Sequence, residues 1–361
     1  MTEQSTIAAC NSRRLAGSRL IDALNVLGVY VLVAALFAVG CGISHKFLAA
    51  ENLLNALRAV TLMGIVSVGL AFITYSRHYV DLSIPGIMAL SGAVAVWALK
   101  YGIVASIGAG LAAGLVVGLL NGLAVGYLRL NPIIWTLAMM SVLSGLIRWV
   151  YAGQQIYPDE STAAGRAFLD LYHQQLFLGL YYRMQPVAVP LPVVILAIAA
   201  VAGHAVMRHT GYGAALKLTG SNYEVARLSG VPVKRVVALA FVISSLASSV
   251  AGILLTSFNK VGASQIGEGY DFKTITAVVL GGMTLAGGRG NIAGVIGGVM
   301  SIALMSNVMS LVRIGEFVIG PLRVPEFTIG EFQQNIVQGA VFILVVGINS
   351  FSRRKAGRDD A

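Results

Sequence analysis

The stretch GLAAGLVVGLLNGLAVG, residues 110–126, carries a glycine at every fourth position: Gly110, Gly114, Gly118, Gly122 and Gly126. Apart from Asn121, every residue between them is apolar. Residues four apart share one face of a helix. The five glycines therefore form a ridge without side chains, along which a second helix can approach closely. The rest of the chain extends this reading. It is 57% hydrophobic and 11% charged, with a mean hydropathy of +0.81, against about 25% charged residues in a soluble domain. The sequence reads as a polytopic, all-α membrane bundle.

A second glycine-rich stretch, GGMTLAGGRGNIAGVIGGVM at 281–300, comes close to a nucleotide-binding fingerprint at Gly288, Gly290 and Gly294. A dinucleotide loop needs G-x-G-x-x-G and an acidic residue about 20 positions later. Here the third glycine falls one residue late, and residues 307–311 hold no Asp or Glu. Packing and turning explain the pattern better. Gly290, Gly294 and Gly298 step by four along an expected span, and Gly287-Gly288-Arg289 makes a tight turn ahead of it.

Apolar runs long enough to cross a bilayer predict ten spans, at 24–43, 56–75, 82–99, 102–127, 133–151, 188–207, 235–256, 272–286, 291–312 and 333–351. Residues 1–23 and 352–361 are then tails on the same side, flanking a membrane domain at 24–351. With both tails inside, 15 of the 25 basic residues and only 6 of the 15 acidic ones face the cytoplasm. The bias of basic residues toward the inside sets the orientation. It also accounts for the net charge of +10 without nucleic acid. The polar, basic N-terminus is unlike a cleaved signal, and Cys10 and Cys41 make no disulfide framework.

Two connections exceed ordinary loop length. The outer one, 152–187, suggests a short interfacial helix. The inner one, 208–234, contains Ser221-x-x-Glu224, a capping-box pattern, followed by Gly230 and Pro232 as stop signals. A helix from Asn222 to Ser229 is expected, and so short a helix is marginal without a packing partner. Ala226 is small enough for a partner surface to approach, and Arg227 can pair with an acidic group on it.

The chain lacks a Walker loop and an H-E-x-x-H motif, and its five histidines have no metal-ligand spacing. Asp81 is the nearest candidate for an intramembrane carboxylate, and capping of the helix that starts near Pro85 suits it better than a proton relay. No clustered acid-base or metal constellation marks an enzyme. A stand-alone secondary carrier remains a rival, to be recognised by uptake on an ion gradient.

The segments VDLSIPGIMALSGAV (80–94), GLLNGLAVGYLRLNPIIWTLAMMSVLSGL (118–146), GYGAALKLTGSNYEVARLSGVPVKRV (211–236) and GYDFKTITAVVLGGMTLAGGRGNIAGVIGGV (269–299) resemble the permease subunits of ribose-type ABC sugar importers. Order and spacing agree from about Asn52 to Ser352. The resemblance implies a multi-pass protein of the bacterial inner membrane that pairs with a second permease and receives sugar from a periplasmic binding protein. It also implies ATP and Mg held by partner ATPase subunits, with no cofactor or metal on this chain. The family's coupling helix, which inserts into the ATPase, falls on Ser221, Asn222, Glu224, Ala226, Arg227, Leu228 and Gly230. Two departures bear on the substrate: Ile84-Pro85-Gly86 replaces Val-Gly-Ser, and Ser144 replaces an Arg. The same architecture also serves branched-chain amino acids and nucleosides.

Asn121, Trp135, Thr136, Asn307 and Gln338 are the polar or amphipathic groups within spans that suit a sugar path, since amides and an indole face match hydroxyl groups. Interhelical hydrogen bonds would account for them equally well.

Overall fold

The computed structural model describes residues 26–78, 80–182, 185–314, 317–319, 322–324, 327–330, 332–344 and 347. The expected tails at 1–23 and 352–361 lie outside them. Among the described residues, eight helices are long and apolar enough to span a membrane. They are α1 (Val26–Ile43), α2 (Ala50–Tyr75), α3 (Ile84–Ala98, extended to Tyr101 by a 3-10 turn) and α4 (Ile103–Gly122, extended to Tyr127 by a π turn). The other four are α5 (Pro132–Val150), α7 (Leu191–His209), α10 (Val233–Asn259) and α12 (Ile292–Leu311). Shorter helices are α6 (Ala163–Asp170), α8 (Gly211–Ser221), α9 (Tyr223–Leu228) and α11 (Tyr270–Leu280), and residues 332–344 form α13. The first span runs within its expected bounds, and the last is described only to 344 and at 347.

One expected span is corrected. Residues 272–286 do not form a membrane-length helix, because Gly281 and Gly282 end α11 after 11 residues, about 16 Å of helix. The other half of that crossing is irregular chain. It enters beside Ala93 at Gly262 and reaches Pro85 and Met88 at Gly267. Non-helical backbone at this depth is tolerated only where protein surrounds it, and Ala263 and Ile266 are indeed buried. α3 is interrupted in the same way at its other end. Asn121, which meets the start of α3, lies six residues before the end of the α4 π turn, so α3 begins about 9 Å inside the bundle.

The outer connections carry the expected short helix, α6, and also strands that the helical reading did not foresee. β1 (Gln175–Tyr182) pairs antiparallel with β2 (Gln185–Pro190). β3 (Arg313–Ile314) pairs with β6 (Phe327–Thr328), enclosing the β4–β5 hairpin (Phe317–Ile319 with Leu322–Val324).

α2, α3, α10 and α12 form the interior, whereas α1, α4, α5 and α7 turn most of their surface outward. Ile65, Leu70, Ile73, Leu216, Phe241 and Met283 are fully buried between them. The glycine ridge of α4 faces α10 in antiparallel register. Gly110 lies against Ile253, Gly114 against Ser249, Gly118 against Ser245 and Val242, Gly122 against Ala238, and Gly126 against Lys234 and Ala238. Along α12, Gly294 meets the Gly281 carbonyl and Gly298 that of Ala277. Gly290 does not belong to this ridge. It lies in the turn before the helix, with φ 119°, against Met283.

Polar contacts and close backbone approaches tie the elements together at the two ends of the bundle. At one end Gly288 donates its N–H to Tyr75 O at 2.9 Å, and Gly220 packs on the same carbonyl. At the other, Ile156 bridges to Gly262, and Ser257 Oγ donates to Phe168 O at 2.7 Å.

A Cβ at Gly118 would lie 2.8 Å from the Ser245 Cβ and 3.0 Å from the Val242 Cα. Overpacking of this kind typically costs about 1–3 kcal/mol. Gly118→Leu should therefore lower the yield and melting temperature of the purified chain. Leu115→Ala, on the exposed face of the same helix, should do much less. Equal yield and melting temperature for both variants would show that α4 and α10 do not meet along this ridge.

Candidate functional site

Three of the five proposed path residues converge where α3 begins. Trp135 Nε1 donates to Asn121 Oδ1 at 2.9 Å, and Asn121 Nδ2 donates to Ser83 Oγ at 2.9 Å. Ser83 in turn donates from both its N–H and its hydroxyl to Asp81 Oδ1. Thr136 Oγ1 accepts from Leu82 N at 3.0 Å. The local sequence produces this junction. Pro85 sits in the first turn of α3, where no N–H is needed, and Asp81 gathers the donors just ahead of it. The cluster joins α3, α4 and α5 and is almost wholly buried.

Asp81 and Ser83 were not among the expected path residues, and the expected capping by Asp81 is corrected: the N-cap of α3 is Ser83, without a side-chain cap bond, and Asp81 Oδ1 accepts from Ser83 instead. Asp81 Oδ2 is buried without a hydrogen-bond partner among the described residues. The remaining two candidates lie elsewhere. Asn307 exchanges amide hydrogen bonds with Asn52 at 2.8 and 3.0 Å, tying α12 to α2. Gln338 donates to Ser306 at 2.8 Å and lines a cavity of about 220 Å³ between α11 and α13, with Lys273, Thr276 and Asn335.

The second constellation is the segment 208–234. Thr210 caps α8 by accepting from Gly213 N, and Tyr212 OH donates to Val236 O at 3.1 Å. The end of α8 is held by the turn at 287–289, where Gly288, with φ 71°, packs directly on Ser221. The capping box is corrected here. Ser221 is the last residue of α8, and the cap of α9 is Asn222, whose Oδ1 accepts from Glu224 N and Val225 N, both at 3.1 Å. Asn222 has extended backbone geometry, as a capping residue requires, and Ser221 is still helical.

The exposed face of α9 also differs from expectation. Tyr223 and Ala226, three apart, turn into the bundle, and Ala226 is fully buried. A partner cannot approach over it. Val225 and Leu228 face outward instead, Leu228 being 82% exposed. Arg227 pairs with Glu224 at 3.4 Å, with both side chains largely exposed, a contact worth about 0–1 kcal/mol. Val225 was overlooked because a six-residue helix shows too little periodicity to reveal its faces.

A helical membrane bundle with two interrupted spans meeting in its interior, and a braced helical loop at one end, has the architecture of a transport permease. Over residues 52–346 the chain matches the family described as "Branched-chain amino acid transport system / permease component". It is 32% identical over 322 residues to the ribose import permease protein RbsC of Bacillus subtilis, covering 89% of this chain and 90% of that one. It is 31% identical over 334 residues to the L-arabinose ABC transporter permease protein AraH of Azospirillum brasilense, covering 92% and 89%. The xylose transport system permease protein XylH of Escherichia coli is 28% identical over 387 residues, covering 91% and 93%. The chain belongs to this permease family and is a multi-pass membrane protein.

Asn121→Leu should leave Trp135 Nε1 and Ser83 without their partner, at a cost of about 1–3 kcal/mol. The purified variant should melt at a lower temperature than the wild type. Ser141→Ala, whose exposed hydroxyl bonds only its own helix, should melt with the wild type. Identical melting of the Asn121 variant would show that the cluster adds nothing to the join of α3, α4 and α5.

Proposed function

We propose that this chain is the transmembrane subunit of an ATP-binding-cassette importer, moving a small sugar or related polyol from periplasm to cytoplasm without covalent chemistry of its own. The observation that carries this reading is whole-length similarity to permeases named for ribose, L-arabinose and xylose. ATP and Mg belong to partner ATPase subunits in this reading, and a periplasmic binding protein and a second permease complete the assembly. Both termini are placed in the cytoplasm, in the inner membrane. The family's description favours a second reading, import of branched-chain amino acids. Competition of radiolabelled uptake by ribose, arabinose, xylose and leucine separates the two.

The path runs where the interrupted spans α3 and α11 meet, since secondary carriers place solutes at such breaks. Asn121, Trp135 and Thr136 form one wall of it and Gln338 a part of another, while Asn307 holds α12 to α2 beside it. Solute would engage these amides and the indole by exchanging their interhelical bonds. α9 is the coupling helix. Val225 and Leu228 enter the ATPase groove, Asn222 and Gly230 set the limits of the helix, and Ser221, Ala226 and Arg227 seat it.

Leu228→Glu places a charge on the outward face and leaves the seat of α9 untouched. Co-elution with the ATPase and binding-protein-stimulated ATP hydrolysis should both fall at least tenfold, with membrane insertion unchanged. Normal uptake by this variant would remove α9 from the coupling role. Asn222→Ala removes the cap, worth about 1 kcal/mol, and should weaken coupling only partly.

Orientation has its own test. With Cys10 and Cys41 replaced by Ser, a cysteine introduced at Ser161 should react with an impermeant thiol reagent on intact cells, and one at Ser229 should not. Equal labelling would overturn the topology.

A further inference from the structure

The loop after α4, the start of α10 and the inner flank of α9 enclose a cavity of about 450 Å³. Its lining includes Arg129, Arg227, Lys234 and Arg235, together with Tyr127 and Tyr223, and no carboxylate. Glu224, the one acid nearby, pairs with Arg227 on the exposed side. Among the described residues, Arg129, Lys234 and Arg235 have no carboxylate partner. Arg129 lies over the ring of Tyr223 and Lys234 over that of Tyr127, both at 5.9 Å. Arg129 holds this place from a left-handed backbone, φ 56°, in a turn closed by Leu128 N to Leu123 O and Leu130 N to Ala124 O, both at 3.1 Å. With Arg227 paired to Glu224, Arg129, Lys234 and Arg235 still leave the lining net positive, which favours a bound anion.

The depth of the cavity narrows the identity of the anion. Tyr127 is the last residue of one span and Val233 the first of another, so the cavity lies at the level of lipid headgroups. Leu128, between the lining residues Tyr127 and Arg129, is 69% exposed and offers apolar surface for an acyl chain. α10 starts at Pro232 without a side-chain cap, and such a helix end adds a favourable field for a phosphate. An acidic segment of a protein partner would approach from the aqueous side, over Val225 and Leu228. The cavity lies on the other flank of α9, between it and the spans.

We propose that this cavity binds the phosphate of an anionic phospholipid, and that the bound headgroup ties α9 to the ends of α4 and α10. Basic pockets at the cytoplasmic ends of membrane helices commonly hold such headgroups. The consequence for coupling rests on the reading of α9 given above, whereas lipid binding does not. If both hold, ATPase docking depends on anionic lipid, because the headgroup completes the support of the coupling helix.

The test is a titration of the purified chain in neutral detergent with phosphatidylglycerol, read by native mass spectrometry, with phosphatidylcholine as the neutral control. The wild type should bind phosphatidylglycerol in preference to phosphatidylcholine. Arg129→Gln/Arg235→Gln should weaken that binding about twenty-five-fold, at about fivefold for each charge removed at headgroup depth. Arg129→Lys/Arg235→Lys should retain most of it. Lys234→Gln alone, a milder change, should weaken it about fivefold and serves if the double variant does not fold. Unchanged phosphatidylglycerol binding by folded glutamine variants would overturn the proposal. Displacement of the lipid by millimolar inorganic phosphate would overturn the lipid assignment in favour of a free anion. Loss of ATPase co-elution by the glutamine variants, with their phosphatidylglycerol binding unaltered, would assign the cations to an acidic protein segment instead. Should lipid bind as proposed while Leu228→Glu leaves coupling intact, only the role of α9 is lost.

Discussion

Backbone meets backbone between α4 and α10, and the rest of the molecule is arranged around that approach. Five glycines remove the side chains from one face of α4, and three of the facing residues of α10, Ala238, Ser245 and Ser249, are small. In hydrocarbon the hydrophobic effect does not drive helices together, so close van der Waals contact has to do so. Once α10 is fixed, its two ends set what lies beyond the membrane. Ser257 at one end holds α6 through the Phe168 carbonyl, and Val236 at the other holds α8 through Tyr212. The α8–α9 segment and α6, at opposite ends of the bundle, thus share one rigid reference.

The interrupted spans introduce the opposite quality. α3 starts about 9 Å inside the bundle, and α11 supplies only half of its crossing. Where they meet, irregular backbone and buried polar groups replace the uniform ladder of a full helix. Such a region satisfies its polar groups by side-chain contacts between elements instead. The Asp81–Ser83–Asn121–Trp135 chain is the most connected of these arrangements. It sits between the rigid α4–α10 pair and α5, whose outer face is exposed. A movement of α5 would therefore reach the start of α3 through Trp135 and Thr136.

At the end that carries α9, the same economy of small residues reappears. Gly220 and Gly288 allow α8, the end of α2 and the 287–289 turn to touch through backbone alone. α9 is anchored inward by Ala226 and Tyr223, leaving two apolar side chains outward. A six-residue helix is far below the length that is stable alone. Its order comes from the surface beneath it, and that surface includes the basic cavity.

Hydropathy and glycine spacing establish the membrane class, most of the spans and the packing face of α4 directly from the sequence. These depend on local composition and on the 3.6-residue period alone. The four quoted segments likewise bring the permease family into view. The break at α11 was hidden, because Gly281-Gly282 lies within an apolar run that hydropathy cannot distinguish from continuing helix. The cap of α9 was misplaced by one residue, since Ser221 and Asn222 are both good capping residues and only the end of α8 decides between them. Which side of α9 faces outward, which polar groups pair across helices, and the gathering of Arg129, Arg227, Lys234 and Arg235 around one space all depend on contacts between residues distant in sequence. Local pattern determines what each segment can become. Which face it shows, and to what, is decided only when the other segments are in place.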